Sequence, residues 1–179
     1  MIVTRREWRQ VAWRNGRGTS QEILVRPGLV LNRTPLIADA PFSPYGGFDR
    51  LLVVIVGGLT LEVTGEARAL AAGDLTSFPG EADVCVHVEP GQKVDVLNLI
   101  TDRSTWRAAG EICDEGCHPV IGEAELIIVH ASGEIGVSGC GGGRLADGDT
   151  LVVSDEGIEL DVRLGRAVVL RLQRADASG

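Results

Sequence analysis

A chain of 179 residues has room for one ordinary domain or two small ones, and at 44% hydrophobic it can bury a sizeable core. Its apolar runs are short and valine-rich, well under the roughly 18 residues that span a bilayer as a helix, and no apolar signal core follows the N-terminal Met-Ile-Val-Thr-Arg-Arg-Glu-Trp, so a cytoplasmic protein with no membrane partner is expected. A net charge of −8 argues against a nucleic-acid partner, and the spacing of Cys85, Cys113, Cys117 and Cys140 fits reduced thiols better than a disulfide framework.

The first 18 residues carry Arg5, Arg6, Arg9, Arg14 and Arg17 against Glu7 alone. This local basic patch on an acidic chain reads either as a solvated face or as an attractor of small anions. Thr4 and Glu7 have the spacing of a capping box for one short helical turn. Asn15-Gly16-Arg17-Gly18-Thr19 follows, a polar loop whose amides can hydrogen-bond an anion. Beyond it, 24 glycines punctuate short valine- and leucine-rich runs, which predicts many short strands with tight turns. The strands are expected at 51–56, 59–63, 84–88, 94–100, 126–130, 150–153, 158–162 and 167–172. In Val84-Cys85-Val86-His87-Val88 the valines share one face, and in Ile158-Glu159-Leu160-Asp161-Val162 the carboxylates share the wet one. Helical pattern is thin, with a second short helix expected over 104–109 in a linker spanning 102–123.

An internal repeat organises the chain. Leu70-Ala71-Ala72-Gly73-Asp74-Leu75 recurs 75 residues later as Leu145-Ala146-Asp147-Gly148-Asp149-Thr150, with a similar pair of strands upstream of each copy. Glycine supplies backbone freedom at such a turn and aspartate bonds the turn's own amides. The stretch Gly73-Asp74-Leu75-Thr76-Ser77-Phe78-Pro79-Gly80 resembles the second half of a cupin motif. The resemblance implies an all-β bicupin of two fused cupin-like (jelly-roll) β-barrels: residues 1–103 with the ligand-pocket motifs, and 104–179, with the N-terminal segment available to complete the second barrel. Metal-binding cupins use two histidines and a glutamate before the first glycine turn and a third histidine after the Pro-Gly. Here the histidines are His87, His118 and His130 only, Asp83 stands after Pro79-Gly80, and Arg50 would repel a cation, so no metal and no cofactor are expected. Cys113-Asp114-Glu115-Gly116-Cys117-His118 lacks a fourth zinc ligand and reads as a linker loop with unpaired thiols. Cys85 and His87, about 7 Å apart along a strand, read as a core-facing pair.

Three further stretches resemble the HutD/Ves family of bicupins: Trp13-Arg14-Asn15-Gly16-Arg17-Gly18-Thr19-Ser20-Gln21-Glu22-Ile23, Pro41-Phe42-Ser43-Pro44-Tyr45-Gly46-Gly47-Phe48-Asp49-Arg50, and Asn98-Leu99-Ile100. With the Gly-Asp and Phe78-Pro79-Gly80 elements, the resemblance runs over about residues 8–103. It departs from the family pattern at Arg17 (usually glycine), Gln21 (usually arginine) and Val96 (usually aspartate or another polar residue). It implies a link to histidine utilisation, binding of a small molecule and a regulatory role. The ligand-binding candidates are Asn15, Gly16, Arg17, Thr19, Glu22, Asp49, Arg50 and Asn98. Arg50 can grip a carboxylate with two parallel bonds, and Asn98 offers both donor and acceptor. Equally open is a structural role, with Asp49–Arg50 and Glu22–arginine as salt bridges fastening the N-terminal loop. The expected function is a metal-independent sensor or regulator, monomeric or homodimeric, of a small anionic metabolite. The alternatives are an isomerase or hydrolase with Asp49, Glu22 or Asp83 as general base, for which no catalytic arrangement is legible, or a ligand-free interaction module.

Overall fold

The structure is a computed structural model and describes residues 1–121, 124–139, 143–154 and 157–175; Cys140 lies outside them. Among these residues the regular elements are strands, apart from one 3-10 turn at Arg5–Glu7. That turn closes as its sequence suggests: the backbone N–H and the hydroxyl of Thr4 both donate to the Glu7 carboxylate, at 2.7 and 2.8 Å. Among the described residues no helix is long and apolar enough to cross a membrane. The chain forms two compact units, residues 9–105 and residues 1–8 together with 106 onward.

In chain order the first strands are β1 (Ile2–Val3), β2 (Arg9–Ala12), β3 (Thr19–Arg26), β4 (Leu29–Leu36), β5 (Ala40–Pro41) and β6 (Phe48–Val56). Then come β7 (Gly58–Val63), β8 (Glu66–Ala71), β9 (Leu75–Pro79), β10 (Val84–His87) and β11 (Val94–Asp102). Strands β2 to β11 build the unit of residues 9–105 from two antiparallel sheets, ordered β2-β3-β4-β11-β6-β9 and β5-β10-β7-β8. One apolar cluster draws on both sheets, including Leu52, Val54, Val94 and Val96 from the first and Leu61, Leu70, Val84 and Val86 from the second. The alternation read in 84–88 is borne out, with all three valines buried. Cys85 and His87 do not face the core, however: Cys85 is half-buried and His87 exposed, because the valines already fill the inward positions of β10.

The other unit holds β1 and β12 (Trp106–Cys113), β13 (Gly116–Val120), β14 (Leu126–Ser138), β15 (Gly143–Leu145), β16 (Thr150–Val153) and β17 (Ile158–Arg174). They form one seven-stranded sheet, β1-β16-β14-β17-β12, with β13 also paired to β17 and β15 to β14. The strands expected at 158–162 and 167–172 are thus one 17-residue strand. The helix expected over 104–109 is absent. Ser104 and Thr105 form a turn, and residues 106–109 enter β12, which pairs with β17 from Trp106↔Arg174 to Cys113↔Ala167. An eight-residue ladder with a long neighbour outweighs the weak helical preference of a short alanine-containing run. The linker reading of the Cys113–His118 stretch is corrected as well: Cys113 ends β12 with its side chain in the core, and Cys117 and His118 lie in β13.

The repeat is visible bond by bond. In the first copy the Ala71 N–H donates to the Asp74 carboxylate (2.8 Å), the Gly73 N–H to the Val54 carbonyl (2.9 Å), and the Val54 N–H back to the Asp74 carbonyl (3.0 Å). In the second, Ala146 donates to Asp149 (3.0 Å), Gly148 to Ala131 (2.9 Å), and Ala131 back to Asp149 (2.9 Å). The turn needs φ of +97° at Gly73 and +90° at Gly148, values that a residue with a Cβ rarely adopts. The strands upstream of the two corners differ: β6 and β7 are separated at Gly57, whereas β14 runs unbroken through Gly133.

Candidate functional site

The unit of residues 9–105 contains a pocket of about 60 Å³ whose walls come from the six-stranded sheet. Register explains who meets there. On β11 the period of two puts Val96, Asn98 and Ile100 on one face. Across the ladders Asn98 stands opposite Asn32 of β4 and Leu52 of β6, and Ile100 opposite Arg50 of β6. Ser20 of β3 and Thr34 of β4 extend the same wall, and Trp13, Arg14, Phe42 and Tyr45 close it from two loops.

Arg50 is the electrostatic centre. The residue is only 7% exposed, and burial pulls its guanidinium down to about 10, with the nearby Tyr45 acting in the opposite direction. It is still a cation at neutral pH. Its Nε donates to Asn98 Oδ1 (3.3 Å) and its Nη1 to the Ser43 carbonyl (3.2 Å). Phe42 lies 4.4 Å from the guanidinium carbon, with Phe78 at 5.6 Å and Tyr45 at 5.7 Å, a cage of ring faces that suits a cation. Among the described residues Arg50 has no carboxylate partner, and no acid, imidazole or thiol lines the pocket.

The β3–β4 part of this wall carries a directed hydrogen-bond chain. Trp13 Nε1 donates to Ser20 Oγ (2.9 Å), and Thr34 Oγ1 donates to Asn32 Oδ1 (3.1 Å). The 2.7 Å contact between the two hydroxyls therefore has Ser20 as donor, since Thr34 has spent its one proton on Asn32. The carbonyl oxygens of Asn32 and Asn98 thus each accept one bond, while among the described residues neither NH2 group donates one. With two arginines beside these amides the pocket is rich in donors.

Of the eight sequence candidates, Arg50 and Asn98 line this pocket and the others stand elsewhere. Asn15 donates to the Pro41 carbonyl (2.9 Å) and accepts the Arg17 N–H (3.0 Å), tying its own loop. Gly16 makes the turn of that loop, donating to the Trp13 carbonyl (3.0 Å), and the Arg17 side chain is exposed. Thr19 is exposed on the face opposite Ser20, and Glu22, beside a register shift in β3, forms no ion pair among the described residues. The Asp49–Arg50 and Glu22–arginine bridges left open by the sequence do not form. Asp49 accepts instead from Arg103 Nε (2.8 Å), while the Nη atoms of Arg103 grip Glu81 at 2.9 and 3.0 Å and reach the Phe48 carbonyl at 3.0 Å. That bonding raises the Arg103 guanidinium and lowers the Glu81 carboxyl from their ordinary values. Alternation on β6 sends Asp49 and Arg50 to opposite faces, so only one of the pair can line the pocket. Sequence reasoning did not assign Arg14, Ser20, Asn32 and Thr34. The available signal was a pair of polar residues two apart, Asn32 and Thr34, inside an apolar run.

Elsewhere on this unit His87 Nδ1 lies 3.0 Å from Asp39 and Nε2 lies 3.7 Å from Glu62. The hydrogen bond to Asp39, then the charges of Asp39 and Glu62, raise the imidazole above its ordinary value against the pull of burial. Among the described residues no three His, Cys, Asp or Glu side chains converge as a metal-ligand set.

Comparison with known proteins places this geometry. HutD from Pseudomonas fluorescens SBW25 (formate condition) is similar over 98% of each chain at 23% identity, with a TM-score of 0.85. PA5104 from Pseudomonas aeruginosa PAO1, a conserved protein of unknown function, gives 0.88 at 23% identity over 97% of this chain and 98% of that one. A cupin 2 conserved barrel domain protein from Leptotrichia buccalis gives 0.56 at 10% identity over 87% and 88%. At these identities the likeness concerns the fold, which is cupin-like and β-rich. No curated protein matches the chain. The family model of HutD matches residues 5–170. A match over so much of the sequence, carried by a chain whose fold is that of HutD itself, makes this protein a member of the HutD family.

Proposed function

We propose that the chain is a metal-independent bicupin, two cupin-like barrels in one polypeptide, that binds a small anionic metabolite on Arg50 and acts as a sensor or regulator. The observation that carries this reading is a buried arginine with no carboxylate partner in a pocket whose lining contains no acid. A desolvated cation costs several kcal/mol unless something of opposite charge joins it, and an anion offering only acceptors matches the unspent donors of Arg50, Asn32 and Asn98. Sixty cubic ångströms corresponds to about four water-sized groups, the size of one carboxylate head with a short stem. Formate, named in the condition of the HutD structure, is therefore a natural probe. The family association with histidine utilisation suggests N-formylglutamate and urocanate as fuller candidates.

Calorimetric titration with these three anions tests the reading on the wild type and on Arg50→Ala. Saturable binding by at least one of them, weakened about tenfold or more in the variant as expected for loss of a charged hydrogen-bond partner, supports it. If the wild type gives only heats of dilution with every anion, the reading fails.

A further inference from the structure

We propose that Arg14 is the specificity-determining residue of this pocket, receiving a second carboxylate so that the site selects a two-headed anion over a single-headed one. The inference rests on the anion-binding reading above and extends it to the class of ligand. Its starting point is a ring shared by two cations. The guanidinium carbon of Arg14 lies 4.2 Å from the centroid of Tyr45, and that of Arg50 lies 5.7 Å from the same ring. Arg50 is buried at the sheet, whereas Arg14 is exposed and also lines the pocket. The two charges therefore stand at an inner and an outer station no more than about 10 Å apart, a span that two carboxylates on a short chain, each hydrogen-bonded to one guanidinium, can cover. Among the described residues neither is paired with a carboxylate.

Arg14 is also fixed in place. On one side Trp13 is held through its indole N–H to Ser20 and its backbone N–H to the Gly18 carbonyl (2.9 Å). On the other, Asn15 is tied to the Pro41 carbonyl. The backbone that carries Arg14 is thus clamped to the wall of the pocket, and the stack on Tyr45 sets the direction of its side chain. A guanidinium held in advance loses little freedom on meeting a carboxylate. Repulsion between two like charges facing one opening is relieved by a dianion and only half relieved by a monoanion.

The experiment compares matched acids, butyrate with succinate and pentanoate with glutarate, by calorimetry on wild type, Arg14→Gln, Arg50→Gln and Arg17→Gln. Arg17→Gln removes an equal charge from the same loop but outside the pocket. Wild type should bind each diacid about fivefold or more tighter than its matched monoacid, the worth of one partly exposed ion pair. Arg14→Gln should bring that ratio close to one, and Arg17→Gln should keep it. Arg50→Gln should weaken both classes. If monoacids bind through Arg50 but the ratio is near one in wild type, or is unchanged in Arg14→Gln, or falls equally in Arg17→Gln, this inference is overturned and the binding reading stands. If neither class binds the wild type, both fall together.

Discussion

Arg50 and Asp49 are neighbours in sequence with separate tasks, Arg50 in the pocket and Asp49 on Arg103. Because Arg50 makes, among the described residues, two hydrogen bonds, both long, beside its ring contacts, its charge contributes modestly to the ligand-free fold. Arg50→Met should keep the unfolding midpoint within about 5 °C of wild type while abolishing stabilisation by added formate. Differential scanning fluorimetry with and without the anion measures both. A larger drop without ligand would show that the guanidinium serves the fold itself. His87 behaves oppositely, since its charge is used by the fold. The Asp39 bond lifts its imidazole above the ordinary 6.5. The stabilisation is therefore complete below that value and lost as pH rises through the elevated folded one. Asp39 is lowered from 3.8 by the same hydrogen bond first and by the Val88 N–H next, so its contribution is present above that value and fades as pH falls through the depressed one. Denaturation of His87→Ala should show a larger loss relative to wild type at about pH 5.5 than at about pH 9. Equal losses at the two would remove the pair from the account.

At the scale of elements, the pocket depends on turns that hold its loops. Pro79 ends β9 and Gly80 follows it; the Tyr45 N–H donates to the Gly80 carbonyl (2.8 Å) while the Gly80 N–H donates to the Phe48 carbonyl (2.7 Å). A Cβ on residue 80 would stand 2.4 Å from the Tyr45 carbonyl oxygen and 2.8 Å from that of Phe48. Gly80→Ala must therefore push away the loop that carries Ser43 and Tyr45. A loss of about 1–3 kcal/mol is expected, together with weaker formate binding, by urea denaturation and calorimetry. The Arg103 fork onto Asp49 and Glu81 fastens the same loop region from outside the pocket. The glycine–aspartate corners allow a cleaner comparison, because the two copies make the same bonds at almost the same φ. Gly73→Ala and Gly148→Ala should each cost about 1–2 kcal/mol. A neutral effect at either position would mean that its corner is not held as described.

For the whole molecule, the expectation is two centres of protection, one per unit. Leu97 and Leu99 on β11, and Ile128 and Leu170 on β14 and β17, are nearly or wholly inaccessible on interior strands. Hydrogen exchange should be slowest there and fastest at the two-residue strands β1 and β5. Uniform protection across these strands would contradict the assignment of sheet interiors.

Much of this architecture is legible in the residues. The period of two in 84–88 and 158–162 placed valines, isoleucine and leucine inside, and the repeated corner announced two related β units. The 104–109 segment was misread because its preference is weak and its partner, β17, lies some sixty residues away in the chain. The eight candidate site residues separate for a related reason, with Arg50 and Asn98 in the pocket and the other six outside it. Consecutive motif residues such as Asn15-Gly16-Arg17 look like one site on paper, yet a loop spends its polar groups on its own backbone.

By itself the sequence determined the local chemistry: glycine where φ must be positive, alternation where one face must be dry, and an arginine on a strand with no histidines beside it. Only the tertiary structure decided which side chains meet. Strand parity sends Asp49 to one face of β6 and Arg50 to the other, and pairing between distant strands determines which face becomes the pocket. Ser20, Asn32, Arg50 and Asn98 are scattered over nearly eighty residues, and hydrogen-bond register alone draws them to a single wall.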